Sequence, residues 1–285
     1  MPNSKNIRTI PEAQENLAWA HPLGTLGRLT AEAAHRAASV EPHRSELERL
    51  ARASAQRPSL FAALRRPDVA LIAEIKRSSP SLGTIRTDLD AAAQARAYEA
   101  GGAAAISVLT EPESFGGTDD DLLAAVRAAT IPVLRKDFHV TPAQLFHART
   151  LGASAALLIV RALPPARFIE MVEAANGVGL EIVAEVRDFA ELERALSAGA
   201  HIIGVNNRNL ETLEIERGTA ETVIPRIPRD CVAIAESGYS DRASVEAVAE
   251  FGADAVLIGS LLSAAADPEL AVRRLTGISA KPRER

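Results

Sequence analysis

The sequence predicts an α/β protein: eight parallel strands alternating with helices and closed into a (β/α)8 barrel, behind an N-terminal helical extension. Three observations carry this. Eight short runs rich in Val, Ile, Leu and Ala recur along the 285 residues, with turn or helix signals between them, the pattern of strands buried on both faces. A Gly-Ala step precedes a strand four times, at Gly102-Ala103, Gly152-Ala153, Gly199-Ala200 and Gly252-Ala253, as a β/α unit copied round a ring would leave it. No Gly-x-Gly-x-x-Gly follows the first run, so an open dinucleotide-binding sheet lacks its fingerprint.

Taken in order, Met1 to about His21 is polar and irregular and is expected to be loosely ordered. Leu26–Val40 and Ser45–Ala55 have amphipathic helical spacing and should cap or flank the barrel. Residues 1–66 therefore read as the extension and residues 67–285 as the barrel, one domain overall. The strands are expected at Val69–Glu74, Ala103–Leu109, Ile131–Arg135, Ala155–Val160, Glu181–Glu185, His201–Val205, Cys231–Glu236 and Ala255–Ile258. Asp88, Thr141-Pro142, Asp188 and Ser240-Asp241 open helices that stop at Gly101-Gly102, Gly152, Gly199 and Gly252. Right-handed crossovers close eight such strands into the TIM-barrel architecture.

Composition narrows the function. A net charge of -5 and a pI near 5.8 argue against a nucleic-acid or anionic-membrane partner, which would need a concentrated basic face. The single cysteine, Cys231, cannot form an internal disulfide and fits a reducing cytoplasm. Met1 to Ile10 lacks the apolar core of a signal peptide, and no apolar stretch approaches the roughly 20 residues needed to span a bilayer. Of 32 basic residues only Lys5, Lys76, Lys136 and Lys281 are lysine. Arginine stays protonated at working pH, whereas lysine can be tuned to exchange a proton. Lysines kept at 76 and 136 hint that those positions need an ammonium.

In a barrel of this kind the chemistry sits at the C-terminal strand ends, and polar residues are dense there. Alternation after strand one puts Glu74 and Lys76 on one face, ahead of the loop Arg77-Ser78-Ser79-Pro80-Ser81-Leu82-Gly83. The loop after strand two carries Phe115, placed either to stack on a flat ring or to pin the loop to the rim. Strand three ends Leu134-Arg135-Lys136-Asp137-Phe138, and two ammonium groups near one apolar mouth are expected to depress each other's pKa. Glu185 and Glu236 each terminate an apolar run, and strand six supplies Asn206 and Arg208. Ser237-Gly238 and Gly259-Ser260 follow strands seven and eight, where barrel loops commonly hold a phosphate on backbone N–H groups. The six histidines have neither metal-ligand spacing nor a Ser-His-Asp order. They read as structural or surface residues, His139 being the one that directly follows a nominated site residue, Phe138.

Together, Ile72–Gly83 (IAEIKRSSPSLG), Leu109–Gly117 (LTEPESFGG), Leu134–Phe138 (LRKDF), Glu185, Gly204–Leu210 (GVNNRNL), Ala235–Gly238 (AESG) and Leu257–Ser260 (LIGS) resemble the indole-3-glycerol phosphate synthase family, from about residue 60 onward. The resemblance implies closure of 1-(2-carboxyphenylamino)-1-deoxyribulose 5-phosphate to indole-3-glycerol phosphate, a step of tryptophan synthesis that uses no cofactor and no metal. It implies Lys136 as general acid at the ketose oxygen, and Lys76 holding the substrate carboxylate and assisting later proton transfers. Glu185 would be the base for dehydration, Glu74 would orient the lysines, and Asn206 and Glu236 would place substrate hydroxyls. Ser79, Ser237, Gly238, Gly259 and Ser260 would line the phosphate site. Phe115 or Phe138 would meet the ring, and Lys76 or Arg208 the carboxylate.

Two rivals differ on particular residues. A phosphoribosylanthranilate isomerase would need a catalytic cysteine, but Cys231 begins strand seven, at the wrong end. A non-catalytic sugar-phosphate-binding barrel would need neither Lys136 nor Glu185. The expected partner is a small phosphorylated molecule; a monomer is compatible with the sequence, which does not fix the oligomeric state.

Overall fold

A computed structural model describes residues 19–283. Eight parallel strands form one closed barrel: β1 (Ala70–Ile75), β2 (Ala105–Leu109), β3 (Val133–Lys136), β4 (Ala155–Ile159), β5 (Glu181–Val186), β6 (Ile202–Asn206), β7 (Val232–Glu236) and β8 (Ala255–Ile258). The ring closes where Ala70 of β1 pairs with Ala255 of β8. The boundaries fall within about two residues of those expected from sequence. Four of the expected helices lie at Ala91–Ala100, Pro142–Thr150, Phe189–Ser197 and Arg242–Glu250. The side chains of Asp90, Asp188 and Asp241 cap three of their N-termini, each satisfying one or more otherwise unbonded N–H groups.

Alternation along the strands separates two apolar layers. Leu71, Ala73 and Ile75 of β1 face the surrounding helices, whereas Ile72 packs inside the barrel with Leu134, Leu157, Val183, Ile234 and Leu257. Each such side chain contributes about 1.5–3 kcal/mol by leaving water. Two residues further along the same inward rows come Glu74, Lys136, Glu185, Glu236 and Gly259. The polar layer therefore lies directly on top of the apolar one.

The extension packs against both ends of the barrel. α1 (Gly24–Val40) buries Leu26, Leu29 and Ala33 against the inner core, over the C-terminal ends of the strands. α2 (Arg44–Ala53) packs on Pro142–Thr150 at the flank. α3 (Leu60–Leu64) inserts Leu60 and Leu64 at the opposite end. There Glu181, at the start of β5, accepts bonds from Ser59 Oγ and Leu60 N, both at 2.6 Å. Of the stretch to His21 expected to be loosely ordered, positions 1–18 lie outside the described residues. Trp19 and Ala20 are instead held: Trp19 Nε1 donates to Arg161 O at 3.2 Å, and the Arg161 guanidinium donates to Ala20 O at 2.6 Å. Cys231 is buried and begins the turn into β7, away from the strand ends that carry the polar layer.

Candidate active site

The C-terminal strand ends open into a cavity of about 390 Å³. All the residues nominated from sequence border it. Glu74 and Lys76 come from β1 and its exit, Lys136 and Phe138 from β3, Glu185 from β5, and Asn206 and Arg208 from β6. Glu236, Ser237 and Gly238 follow along β7, Gly259 and Ser260 leave β8, and Ser79 and Phe115 reach in from loops. Ser79 sits in a small hairpin within the loop after β1, Ser78–Ser79 pairing with Gly83–Thr84.

At the centre, Lys136 Nζ lies 2.5 Å from Glu236 Oε2 and 3.5 Å from Glu185 Oε2, while Lys76 Nζ lies 3.1 Å from Glu74 Oε1. Neither pair is solvated, since the three carboxylates are 4% exposed or less. The expected depression of the lysines by each other does not hold at Lys136. Burial works against its charge, yet Glu236, Glu185 and Glu74 outweigh that and hold the ammonium above its ordinary pKa. Pairing lysine with lysine left out the carboxylates that converge on the same inward layer. Three carboxyl groups and two lysines thus share this buried centre. Burial pushes the Glu236 carboxyl up to about 7, Glu185 and Glu74 adding to the rise and Lys136 opposing it.

Two glycines make room for this cluster. A Cβ on Gly204 would stand 2.2 Å from Glu236 Oε1, and one on Gly259 would stand 2.2 Å from Glu74 Oε1 and 3.0 Å from Lys76 Nζ. Gly259 is thus required first by the Glu74–Lys76 pair. Widening it to valine would disturb the charged centre as well as any phosphate contact.

Phe115 and Phe138 form one wall, their ring centroids 6.4 Å apart at 39°. Phe115 both borders the cavity and packs on the inner core, so the two alternatives raised for it are compatible. Fully buried Glu111 caps the short helix Pro112–Phe115, accepting from the N–H groups of Glu113, Ser114 and Phe115. Asp137 accepts from Thr110 Oγ1 at 2.7 Å and from Arg36 of α1 at 2.8 Å. Arg36 also reaches Glu111 at 3.4 Å, so the extension braces both aromatic loops. Within Arg135-Lys136-Asp137 all three residues are buried or nearly so; Arg135 meets Thr110 and Asp119 behind the barrel wall, while Lys136 faces the cavity.

Loops six and seven are joined by Asn207. It is fully buried and donates to Ser237 O at 3.0 Å and Tyr239 Oη at 2.9 Å, while its Oδ1 accepts Ala220 N at 2.9 Å. Asn206 Oδ1 accepts Arg208 N at 2.9 Å, and the Arg208 guanidinium donates to Leu213 O at 2.7 Å. Ser237 takes a φ of 66° and Gly238 one of 89°, a left-handed pair in which only the glycine is unstrained. His139 stands apart from the cavity lining: its Nδ1 meets Leu157 O at 2.9 Å, and burial, then Arg135, pushes it down to about 4.

Sequence reasoning missed Thr25 and Leu29 of α1, Asp137, Arg217, Tyr239 and Ser240, all on the cavity. Asp137 lies inside the segment Leu134–Phe138 between two nominated residues, and Tyr239 directly follows Ala235–Gly238. Thr25 and Leu29 come from the extension, and nothing in their local pattern signals a long-range approach.

A family model described as indole-3-glycerol phosphate synthase matches residues 28–275. This chain belongs to the indole-3-glycerol phosphate synthase family. An indole-3-glycerol phosphate synthase of Streptomyces griseus is 48% identical over 235 residues, covering 82% of this chain and 87% of the relative. One of Mycobacterium leprae is 45% identical over 238 residues, covering 84% and 88%. Among solved structures, a 3-hexulose-6-phosphate synthase from Salmonella typhimurium aligns with a TM-score of 0.58 at 16% identity, over 73% of this chain and 96% of that one. A thiamine phosphate pyrophosphorylase from Pyrococcus furiosus aligns at 0.56 and 16%, over 73% and 93%. At such identities these two bear on the barrel fold alone. Family membership makes the chain a carboxy-lyase of tryptophan biosynthesis, which closes a small phosphorylated substrate to indole-3-glycerol phosphate. No helix among the described residues is long and apolar enough to cross a membrane.

Proposed function

We propose that Lys136 is the general acid of ring closure and Glu185 the general base of dehydration. The supporting observation is the Lys136 ammonium at the base of the cavity, between Glu236 at 2.5 Å and Glu185 at 3.5 Å. The aryl carbon bearing the carboxylate attacks the ketose carbonyl, and Lys136 delivers a proton to the carbonyl oxygen as negative charge grows there. Carbon dioxide then leaves with its bonding electrons retained by the ring. Loss of the new hydroxyl as water requires one proton delivered to the leaving oxygen, for which Lys76 assists, and one removed from the new ring, for which Glu185 is the carboxylate beside Lys136 with the longer contact. Glu236, whose Oε2 is engaged by Lys136, orients that lysine more directly than it could place a substrate hydroxyl.

The substrate carboxylate is held by Lys76, oriented by Glu74, or by Arg208. Phe115 and Phe138 receive the ring. Asn206 meets a substrate hydroxyl, and Ser79, Ser237, Gly238, Gly259 and Ser260 receive the phosphate. The protein acts in the cytoplasm, in keeping with its single buried thiol.

Glu185→Gln keeps the shape of the side chain and removes its basicity. In a single turnover the variant should release carbon dioxide at nearly the normal rate, while indole fluorescence lags by about a hundredfold. Equal slowing of both signals would remove Glu185 from the dehydration step.

A further inference from the structure

The phosphate end of the cavity, as assigned above, consists of hydroxyls and backbone N–H groups, which leaves a doubly charged anion without a full counter-charge. The charges along the lining make this concrete. Glu74, Glu185 and Glu236 line the cavity together with Lys76, Lys136, Arg208 and Arg217, while the Asp137 carboxylate is held by Arg36 and Thr110. Both lysines are committed to glutamates, and the Arg208 guanidinium donates to the Leu213 carbonyl. Among the described residues Arg217 has neither an ion-pair nor a hydrogen-bond partner, and it is exposed to the mouth.

Its position is fixed by the backbone around it. Glu216 N donates to Asn207 O at 2.8 Å, Ala220 N donates to Asn207 Oδ1 at 2.9 Å, and Ile215 bridges to Arg208. Asn207 also holds Ser237 O and Tyr239 Oη, so one fully buried side chain ties the Arg217 segment to the Ser237-Gly238 loop. The outcome is close approach. A Cβ built on Gly238 would stand 4.0 Å from both Cγ and Nε of Arg217, which places the arginine stem over that glycine. A guanidinium there can present two parallel N–H groups to a phosphate resting on the loop.

We propose that Arg217 is a substrate-binding residue that supplies the cationic contact to the substrate phosphate, with Asn207 as its positioning residue. This rests on the placement of the phosphate at the Ser237-Gly238 loop. The contact serves affinity and discrimination, because Arg217 is exposed at the mouth whereas Lys136 is enclosed with Glu185 and Glu236. It favours phosphorylated over unphosphorylated ligands and leaves the bond-making steps alone.

The test compares binding of indole-3-glycerol phosphate with binding of indole-3-glycerol, the same molecule without phosphate, to the full-length enzyme and to Arg217→Gln. Wild type should prefer the phosphorylated ligand strongly. In the variant that preference should shrink by about ten- to hundredfold, the usual worth of a charge-assisted pair. Binding of indole-3-glycerol should stay within about twofold, KM for the substrate should rise in proportion, and kcat should stay within about threefold. Arg217→Lys should recover part of the preference, since it restores charge without the planar fork. Undiminished preference in Arg217→Gln overturns the role of Arg217 while leaving the phosphate loop intact. Absence of preference in wild type overturns the placement of the phosphate end, and the inference with it.

Discussion

Replacing Gly204 by alanine tests whether the charged centre is packed as tightly as it stands. The added methyl would sit 2.2 Å from Glu236 Oε1, 3.2 Å from Glu236 Cδ and 3.3 Å from Val183 Cγ1. That is at least about 1 Å short of an ordinary contact, so the carboxylate must move. Glu236 is 1% exposed, its Oε1 has no hydrogen-bond partner among the described residues, and its Oε2 lies 2.5 Å from Lys136. Movement by that amount breaks the pair and leaves a buried charge uncompensated, which costs about 3–5 kcal/mol. For a chain of this size each kcal/mol lowers Tm by roughly 2–4 °C, so a fall of about 6–20 °C is expected in a thermal melt. Turnover should fall at least about tenfold, because Lys136 loses the group that aims it. Combining the change with Glu236→Ala, which vacates the space, should give a strongly non-additive result. A Gly204→Ala enzyme with Tm within about 2 °C of wild type and normal turnover would refute this account of the glycine.

Two further outcomes follow from the same packing. Leu64, fully buried at the closed end of the barrel, should cost about 2–5 kcal/mol when cut to alanine, read by urea unfolding, with KM unchanged because the cavity is at the other end. For Glu236, the folded pKa of about 7 exceeds the ordinary value of 4.5, so its titration favours folding below pH 4.5, and this contribution fades as pH rises through about 7. Subtracting the stability of Glu236→Gln from that of wild type should therefore give a difference that declines from pH 4.5 to 7.5; a flat difference would place the Glu236 pKa near its ordinary value.

Much of the site was legible because barrel geometry ties chemistry to strand ends. Once Ile72, Leu134, Val183 and Ile234 are recognised as inward, the residues two positions on must also face inward, and these are Glu74, Lys136, Glu185 and Glu236. Charge regulation among them was not legible, since it depends on distances across the barrel between strands far apart in sequence. The expectation of a depressed Lys136 failed for that reason. The purposes of Gly204 and Gly259 were hidden in the same way: each is explained by a carboxylate from another strand. Thr25, Leu29 and Arg36 show a second limit. The amphipathic pattern of α1 predicted a helix correctly, but where that helix docks is set by long-range contacts such as Arg36 with Asp137.

Turnover and product affinity of Lys136→Arg test the central claim most directly. Arginine keeps the positive charge between Glu236 and Glu185 but cannot give up a proton near neutral pH. If Lys136 protonates the ketose oxygen, turnover followed by indole fluorescence should drop by roughly two to four orders of magnitude, while indole-3-glycerol phosphate still binds within about threefold of wild type. A variant that retains near-normal turnover would show that position 136 needs only a charge, and the assignment of Lys136 as the general acid would be contradicted.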